Sequence, residues 1–312
     1  MRVRWYTPYL FILPSIIAMI VLVYTPLFIG IGYSFTNISQ KNSANIEYKI
    51  PQRESDGTIS YKYEPKPNDL KFTGLQNYTE TISTPTFWQV LWQTLVWTFF
   101  NVLFHFVIGL GLALLINKPI KGRNFYRMML MVPWAVPSYI SAFSWRWLFN
   151  ADYGFFNQIL TGMGIAPISW LSDPNWAMFA VIATNIWLGF PFMMVTLLGG
   201  LQNIPEELYE AATVDGATKW QQFRNVTMPL LMPVALTTTL LGAIWTFNMF
   251  NIIYLVTQDN PHTDILATFS FKAFFVRGEY ALASSYSVII LLLLAAFSVF
   301  YLRILKKSES IY

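Results

Sequence analysis

The 312-residue chain contains no cysteine and few charged residues. The absence of cysteine excludes disulfide bonds and thiolate chemistry. Charged residues make up 12% of the chain, whereas soluble domains carry about 25%. A globule so poor in charge could not cover its surface with polar groups, but a protein surrounded by lipid does not need to. The composition therefore predicts a membrane protein.

Six long apolar runs predict membrane-spanning helices. Each exceeds the roughly 20 residues that a helix needs to cross the hydrocarbon core, and together they contain one charged residue, Arg146. The first run is longer than the apolar part of a signal peptide, so we interpret it as a retained span. The sequence predicts an all-α membrane protein with six transmembrane helices in one domain, residues 1–312. The runs cover about residues 9–36, 87–116, 128–149, 175–201, 229–257 and 281–302.

Lys and Arg in the connections between spans predict the orientation, because these residues concentrate on the cytoplasmic side. Eleven lie on one side of the predicted membrane, and the two short loops opposite hold only Lys272 and Arg277. Both termini are therefore predicted to be cytoplasmic. Residues 37–86 then lie outside, and we expect them to form an outer cap or a partly ordered loop. The eleven are Arg2, Arg4, Lys118, Lys121, Arg123, Arg127, Lys219, Arg224, Arg303, Lys306 and Lys307.

The longest cytoplasmic connection, residues 202–228, predicts two short amphipathic helices joined by a glycine. Glu206 and Glu207 suit the positive end of the first helix dipole. Gly216 suits the left-handed position that ends a helix. A second short helix follows, and Pro229 opens the next span. Two such helices on the membrane surface would offer a surface for another protein to bind.

This loop also carries a motif with defined spacing. Glu210-Ala211-Ala212 is followed after three residues by Gly216, and after nine more by Val226, Met228 and Pro229. The spacing resembles the EAA loop of permease subunits of bacterial ABC importers, whose pattern prefers Ile and Leu where this chain has Val226 and Met228. The resemblance extends over about residues 72–305 and is strongest to the larger permease subunit of maltose-type sugar importers. It includes FTGLQNY at 72–78 and NIWLGFPFMM at 185–194.

The resemblance implies a complex in the bacterial cytoplasmic membrane. Its other members would be a second homologous permease, an ABC ATPase homodimer at the cytoplasmic face, and an extracytoplasmic sugar-binding protein. It implies that the ATPase binds the EAA loop and transmits its closure to the spans. The residues that would carry this coupling are Glu206, Glu207, Glu210, Ala211, Ala212 and Gly216.

ATP chemistry is not expected in this chain. A phosphate-binding loop needs Gly-x-x-x-x-Gly-Lys-Ser/Thr, and no glycine in the sequence precedes a lysine. The partner ATPase would bind ATP and magnesium, while this chain would hold no cofactor, no metal and no catalytic residue. We expect it to contact membrane lipid and no nucleic acid.

The composition of the spans restricts the cargo. An ion-coupled carrier normally needs an intramembrane carboxylate, and an anionic cargo would favour Arg or Lys at midplane. The predicted spans contain no carboxylate, and His105 is their one group that could titrate near neutral pH. We interpret His105 as a packed or hydrogen-bonding histidine. A neutral, hydroxyl-rich solute fits these spans better.

The fourth span contains a candidate sugar site. Asn185, Leu188, Gly189 and Phe192 share one helical face. The amide offers a donor and an acceptor, the glycine lets a ligand approach the backbone, and the ring offers an aromatic face. Taken alone, the same residues could equally pack helices together. The resemblance implies that they line the sugar site, although the maltose-type branch can carry Tyr in place of Phe192.

On the fifth span, the resemblance implies that Gly242, Thr246 and Met249 face the sugar. Asn248 and Asn251 fall roughly opposite on the helical wheel, so we expect them to make interhelical hydrogen bonds. Prolines in the predicted spans would kink or break helices near the pathway. They are Pro133, Pro137, Pro191 and Pro233.

These observations lead to one hypothesis and three alternatives. The hypothesis is a permease subunit that moves a neutral sugar, best a maltose- or maltodextrin-like oligosaccharide, by alternating access. One alternative keeps the ABC importer and changes the cargo to another oligosaccharide or a polyol. The others are an ion-coupled secondary carrier or channel, and a membrane anchor or assembly subunit without a pathway of its own.

Overall fold

Helices dominate the chain, and their bounds follow the apolar runs of the sequence. The computed structural model describes residues 7–43, 47–53, 59–65 and 70–309. The predicted cytoplasmic residues Arg2 and Arg4 lie outside these ranges. The helices are α1 Thr7–Met19, α2 Thr25–Ser34, α3 Gln40–Ser43, α4 Gln76–Ser83, α5 Pro85–Asn117, α6 Arg123–Ala135, α7 Ser138–Leu148, α8 Phe155–Gly162, α9 Ala177–Gln202, α10 Glu206–Val214, α11 Lys219–Gln222, α12 Met228–Phe247, α13 Phe250–Thr257, α14 Leu266–Phe271 and α15 Tyr280–Glu309. Three π-helical turns, Ile20–Tyr24, Phe223–Thr227 and Lys272–Val276, continue α-helices.

Five helices in the described residues are long and apolar enough to cross a membrane. They correspond to five of the six predicted spans, so a membrane protein with helical spans is confirmed, while the count of six is not. They are Tyr9–Ser34, Pro85–Asn117, Ala177–Gln202, Lys219–Phe247 and Tyr280–Leu305.

The third predicted span, residues 128–149, is two helices and not one. Helix α6 ends at Ala135, Val136 is extended with φ −74° and ψ 130°, and Pro137 precedes α7. A proline lacks the N–H that would continue the helix, and its ring disfavours helical backbone in the residue before it. By contrast, Pro133, Pro191 and Pro233 lie inside α6, α9 and α12. The expected break therefore occurs at one proline of the four.

The fifth predicted span, residues 229–257, differs at both ends. Helix α12 ends at Phe247, and Met249, with φ −80° and ψ 85°, precedes the separate helix α13, which packs against α7. At its start, α12 is continuous with α11 through a π-helical turn, giving one helix from Lys219 to Phe247. The separate second loop helix predicted from sequence is therefore the base of the fifth span.

The chain divides into two compact units, and the first comprises residues 1–88 and 269–291. Its strands β1 Glu47–Arg53 and β2 Ile59–Pro65 form an antiparallel hairpin within the segment expected as a cap or loop. Residues 44–46, 54–58 and 66–69 of that segment lie outside the described ranges. Later in the chain, Asn77 Nδ2 donates to the carbonyl oxygens of Ser34 at 2.8 Å and Thr36 at 2.7 Å. These bonds tie the end of α2 to α4.

The second unit comprises residues 89–268 and 292–312, and α9 is its central helix. Helix α9 contacts α6, α7, α12 and α13. One apolar cluster packs Leu197, Leu198 and Leu201 of α9 against Leu231 of α12. A second cluster packs Val181 against Trp97 of α5 and residues of α13. Helix α9 therefore presents side chains to every helix around it, including those that form the cavity described next.

Candidate functional site

A cavity of about 310 Å³ lies in the second unit. All seven residues predicted for the sugar site line it, and they come from α9, from α12 and from the connection after α12. They are Asn185, Leu188, Gly189, Phe192, Gly242, Thr246 and Met249. The structure thus brings together two sets of residues that are about fifty positions apart in sequence.

Other lining residues were not proposed as sugar contacts from the sequence, although Pro137 was expected near the pathway. Residues 134–138, at the junction of α6 and α7, form part of the wall, as does Trp245 of α12. The Phe192 and Trp245 ring centroids lie 5.1 Å apart with the planes tilted by 52°. Trp134 and Trp245 are each more than half exposed. Their indole rings give the cavity aromatic surface that the spacing pattern on α9 did not predict.

Two breaks in the helices border this cavity. One is the extended Val136 before Pro137, and the other is Met249 between α12 and α13. Non-helical backbone at membrane depth is tolerated where it is buried in protein or lines a water-filled cavity. The position of both breaks is therefore consistent with a hydrated pathway here.

A line of buried polar groups joins α5 to α9 beside the cavity. Asn185, 1% exposed, donates from Nδ2 to Asn101 Oδ1 at 2.9 Å. Asn101 in turn donates to the carbonyl oxygen of Trp97 at 2.7 Å. His105 donates from Nε2 to the carbonyl oxygen of Asn185 at 2.9 Å. Asn185 thus serves helix packing through its NH₂ group, while its Oδ1 accepts no hydrogen bond from the described residues.

The imidazole ring of His105 packs against the Cα of Gly189, where another residue would carry its side chain. A Cβ atom at position 189 would lie 2.3 Å from both Cε1 and Nε2 of the imidazole. The histidine ring therefore fills the direction in which a side chain at position 189 would point, while Gly189 also lines the cavity. The approach of a ligand to its backbone stays a prediction. His105, interpreted from sequence as a packed or hydrogen-bonding residue, is hydrogen-bonded and also lines the cavity.

A hydrogen bond from α5 fixes the end of α12, where the cavity residue Thr246 lies. Trp97 donates from Nε1 to the carbonyl oxygen of Thr246 at 2.8 Å, and both side chains are buried. Asn251 donates to Ser138 Oγ at 3.0 Å, which confirms its interhelical role. Asn248 instead donates to the Ile244 carbonyl oxygen of its own helix at 3.0 Å. The interhelical role expected for Asn248 is wrong because the helix ends there and its side chain folds back on the last turn.

The lining residues, all of them described, include no carboxylate, lysine or arginine. The wall is made of aromatic rings, aliphatic side chains, an amide, hydroxyls and one imidazole. Such a wall can bind a solute through hydrogen bonds and apolar contact, without an ionic partner.

The loop at residues 202–228, predicted to be cytoplasmic, contains a well-defined helix end. Gly216 has φ +79°, a conformation that favours glycine. The Ala217 N–H donates to the Ala212 carbonyl oxygen at 2.8 Å, and the Gly216 N–H donates to the Thr213 carbonyl oxygen at 3.0 Å. These two bonds form a Schellman motif.

Helix α10 contains no buried residue. Its predicted coupling residues Glu206, Glu207, Glu210 and Ala211 are exposed, Ala212 is half-buried, and Gly216 after it is exposed.

Helix α10 is hydrogen-bonded to the start of the continuous helix Lys219–Phe247. Gln222 Nε2 donates to Thr213 Oγ1 at 2.8 Å, and the hydroxyls of Tyr209 and Thr227 lie 2.9 Å apart. Gln222 and Thr227 belong to the continuous helix that ends at Phe247, next to the cavity residue Thr246. A displacement of α10 would therefore act on a helix that forms the cavity wall.

Comparison with known proteins identifies the family. The family of binding-protein-dependent transport system inner membrane components matches residues 105–309. The chain belongs to this family. It is 37% identical over 235 residues to the trehalose/maltose transport system permease protein MalF of Thermococcus litoralis, covering 75% of this chain and 79% of that protein. It is 32% identical over 313 residues to the maltodextrin transport system permease protein MalC of Streptococcus pneumoniae serotype 4, covering 93% of this chain and 67% of that protein.

A solved structure shares the fold. It is a bacterial ABC transporter involved in the import of the acidic polysaccharide alginate, with a TM-score of 0.79 and 20% sequence identity, covering 97% of this chain and 96% of that one. The family match and the two permease relatives, and not this shared fold, make the chain an inner-membrane permease component, so the resemblance and location predicted from its sequence are confirmed. In such transporters a partner ATPase hydrolyses ATP, so the permease is not itself the enzyme.

Proposed function

We propose that this permease moves a neutral oligosaccharide of the maltose or maltodextrin type across the cytoplasmic membrane, by alternating access driven by a partner ATPase. The observation that carries the proposal is the single cavity lined by all seven candidate residues. The names of the two relatives, which refer to trehalose, maltose and maltodextrin, agree with a sugar cargo.

The cavity wall, more than the fold, supports a neutral cargo. The transporter of acidic alginate has the same fold, so the fold does not distinguish between sugars. An acidic sugar in a membrane cavity favours a basic partner, and none of the lining residues is Lys or Arg. The volume of about 310 Å³ is at the lower end of the range for ligand pockets, about 300–1,000 Å³. It suits one or two sugar rings at a time.

Three kinds of contact would hold the sugar. Asn185 Oδ1 would accept a hydrogen bond from a sugar hydroxyl, and the Thr246 hydroxyl would form a second hydrogen bond. The Phe192 and Trp245 rings would contact the apolar C–H faces of a sugar ring. Leu188, Gly242 and Met249 would complete the wall.

The cytoplasmic loop at residues 202–228 would bind the ATPase homodimer. Its exposed helix α10 offers Glu206, Glu207 and Glu210, and its bonds to Gln222 and Thr227 connect it to the fifth span. A switch of a two-state protein from 1:99 to 99:1 takes about 5.5 kcal/mol of differential binding, which nucleotide and ATPase contacts at this loop would supply.

The proposed topology has six spans with both termini in the cytoplasm. Helices α6 and α7 together form the third span, broken at Pro137. A second homologous permease would complete the pathway, and an extracytoplasmic sugar-binding protein would deliver the cargo. Intact-complex mass spectrometry of the tagged chain, purified from native membranes in mild detergent, tests this composition. We expect one further multi-span subunit and two ATPase copies, and a monomer or homo-oligomer alone would overturn the proposal.

Substitutions in the loop test the coupling. We expect Gly216→Trp and Glu210→Lys to abolish ATP-driven uptake and to weaken ATPase association. Gly122→Trp is a matched control, because Gly122 also has positive φ, +76°, and lies in another connection predicted to be cytoplasmic. Gly122→Trp should retain ATP-driven uptake and ATPase association. Intact uptake and ATPase association in the two loop variants would show that the loop does not couple.

A further inference from the structure

We propose that His105 sets the size of solute that the cavity admits, with Gly189 as its counterpart on the facing helix. The inference rests on the proposed function, since it assigns a specificity-determining residue to the same site. It also makes a prediction about the volume of the cavity that can be measured without any sugar.

The imidazole is held in one place by its surroundings. His105 is 6% exposed, and its Nε2 donates to the Asn185 carbonyl oxygen at 2.9 Å. Asn101, one turn earlier on the same face of α5, is bonded to the Asn185 side chain at 2.9 Å. Two successive turns of α5 are therefore tied to one residue of α9, and the ring forms a fixed part of the wall.

The contact between His105 and Gly189 leaves no spare volume. A Cβ at position 189 would meet three ring atoms, at 2.3, 2.3 and 2.9 Å. Two glycines in this part of the structure differ: at Gly242, across the cavity, the nearest atom to an added Cβ would be Met193 Cε at 3.7 Å, and at Gly199, further along α9, an added Cβ would meet nothing within 4 Å. The missing side chain at 189 is therefore matched to the ring.

Both residues line the cavity, so a change in either one changes the space open to solute. His105→Ala removes the ring and adds its volume to the cavity. Gly189→Ala drives the ring away from α9, and the adjoining open volume is the cavity itself. In the double variant His105→Ala with Gly189→Ala there is no ring for the added methyl group to collide with. The cavity volume should then return towards that of the wild type.

Two more variants separate the ring volume from the hydrogen bond. His105→Leu keeps a side chain of similar bulk but removes the donor to the Asn185 carbonyl oxygen. His105→Gln keeps a donor. If the bulk of the side chain at position 105 sets the largest solute that the cavity admits, His105→Leu should preserve this limit and His105→Ala should not. Gly199→Ala is the control for adding a methyl group to α9.

The cavity volume can be probed by chemical labelling, because the wild-type chain contains no cysteine. Met249→Cys places a single thiol on the wall. The purified complex is treated with a small and a bulky maleimide, and the two labelling rates are compared. We expect the relative rate of the bulky reagent to rise about tenfold with His105→Ala, to fall with Gly189→Ala, and to return near the starting value in the double variant. Equal ratios in all backgrounds would overturn the inference.

Uptake of maltose, maltotriose and longer maltodextrins by the complete importer in proteoliposomes gives the functional readout. We expect His105→Ala to shift kcat/KM towards longer sugars and Gly189→Ala to reduce it for all of them, while His105→Leu keeps the wild-type order. If the wild type imports none of these or other sugars, the proposed function fails. If the wild type imports them and His105→Ala changes neither the sugar order nor the labelling ratio, only the present inference fails.

Discussion

The bond between Asn101 and Asn185 allows helix packing to be separated from solute binding. Both side chains are buried and joined at 2.9 Å, yet Asn185 lines the cavity and Asn101 does not. Asn101→Leu and Asn185→Leu each remove the bond with little change in bulk. Each leaves the other amide buried without that partner, while the double variant removes both.

The expected stability changes follow from that geometry. A buried polar group left unsatisfied costs about 1–3 kcal/mol, whereas replacing both partners with apolar groups is nearly neutral. Interhelical hydrogen bonds in membranes average about 0.6 kcal/mol and reach about 1.7 kcal/mol. We therefore expect each single variant to lower the free energy of unfolding by about 1 kcal/mol, with the double variant less destabilised than the sum of the singles.

The expected effects on transport differ between the two residues. Uptake is measured per assembled complex, so that loss of stability is removed from the comparison. Asn101→Leu should keep kcat/KM within a few-fold of the wild type. Asn185→Leu also loses the Oδ1 acceptor and should lower kcat/KM by about tenfold, the equivalent of about 1.4 kcal/mol.

Two results would refute this reasoning. Additive destabilisation in the double variant would mean that the two amides do not interact. Equal transport loss in Asn101→Leu and Asn185→Leu would mean that Asn185 acts only in packing. The proposed hydrogen bond between Asn185 and the sugar would then be wrong.

Three further predictions concern the contacts that hold the site and the first span. Trp97→Phe removes the donor to the Thr246 carbonyl oxygen and should lower the unfolding free energy by about 1–3 kcal/mol, measured by thermal unfolding of the purified complex. Asn251→Ala breaks its bond to Ser138 and should weaken the packing of α13 on α7, seen as faster hydrogen exchange in α13; unchanged exchange would contradict this role. Asn77→Ala removes two bonds to the end of α2 and should increase protease cleavage between α2 and α4, while cleavage at the wild-type rate would show that the segment is held by other contacts.

Much of the helical framework could be predicted because hydrocarbon imposes a simple rule on the sequence. A run of about 20 apolar residues must form a helix when no water can satisfy its backbone. The bounds of α5 and α9 fall within two residues of the predictions. The shared face of Asn185 and Phe192 could also be predicted, because helical periodicity alone places them together.

The details that the sequence did not predict depend on contacts between distant residues. Met249 reads as part of a continuous apolar run, and nothing near it in sequence shows that the helix ends at Phe247. The role of Gly189 depends on a histidine eighty-four positions earlier, which a single-helix pattern cannot reveal. The Trp245 ring likewise becomes part of the site only because α12 packs beside α9.

The central claim is tested most directly by uptake in proteoliposomes that contain the purified importer and its sugar-binding protein. We expect labelled maltodextrin to accumulate in the presence of ATP and magnesium on the ATPase side, and accumulation to stop when the ATP is replaced by a non-hydrolysable analogue. Accumulation that needs an ion gradient and does not depend on ATP would show that the chain is not part of an ATP-driven importer.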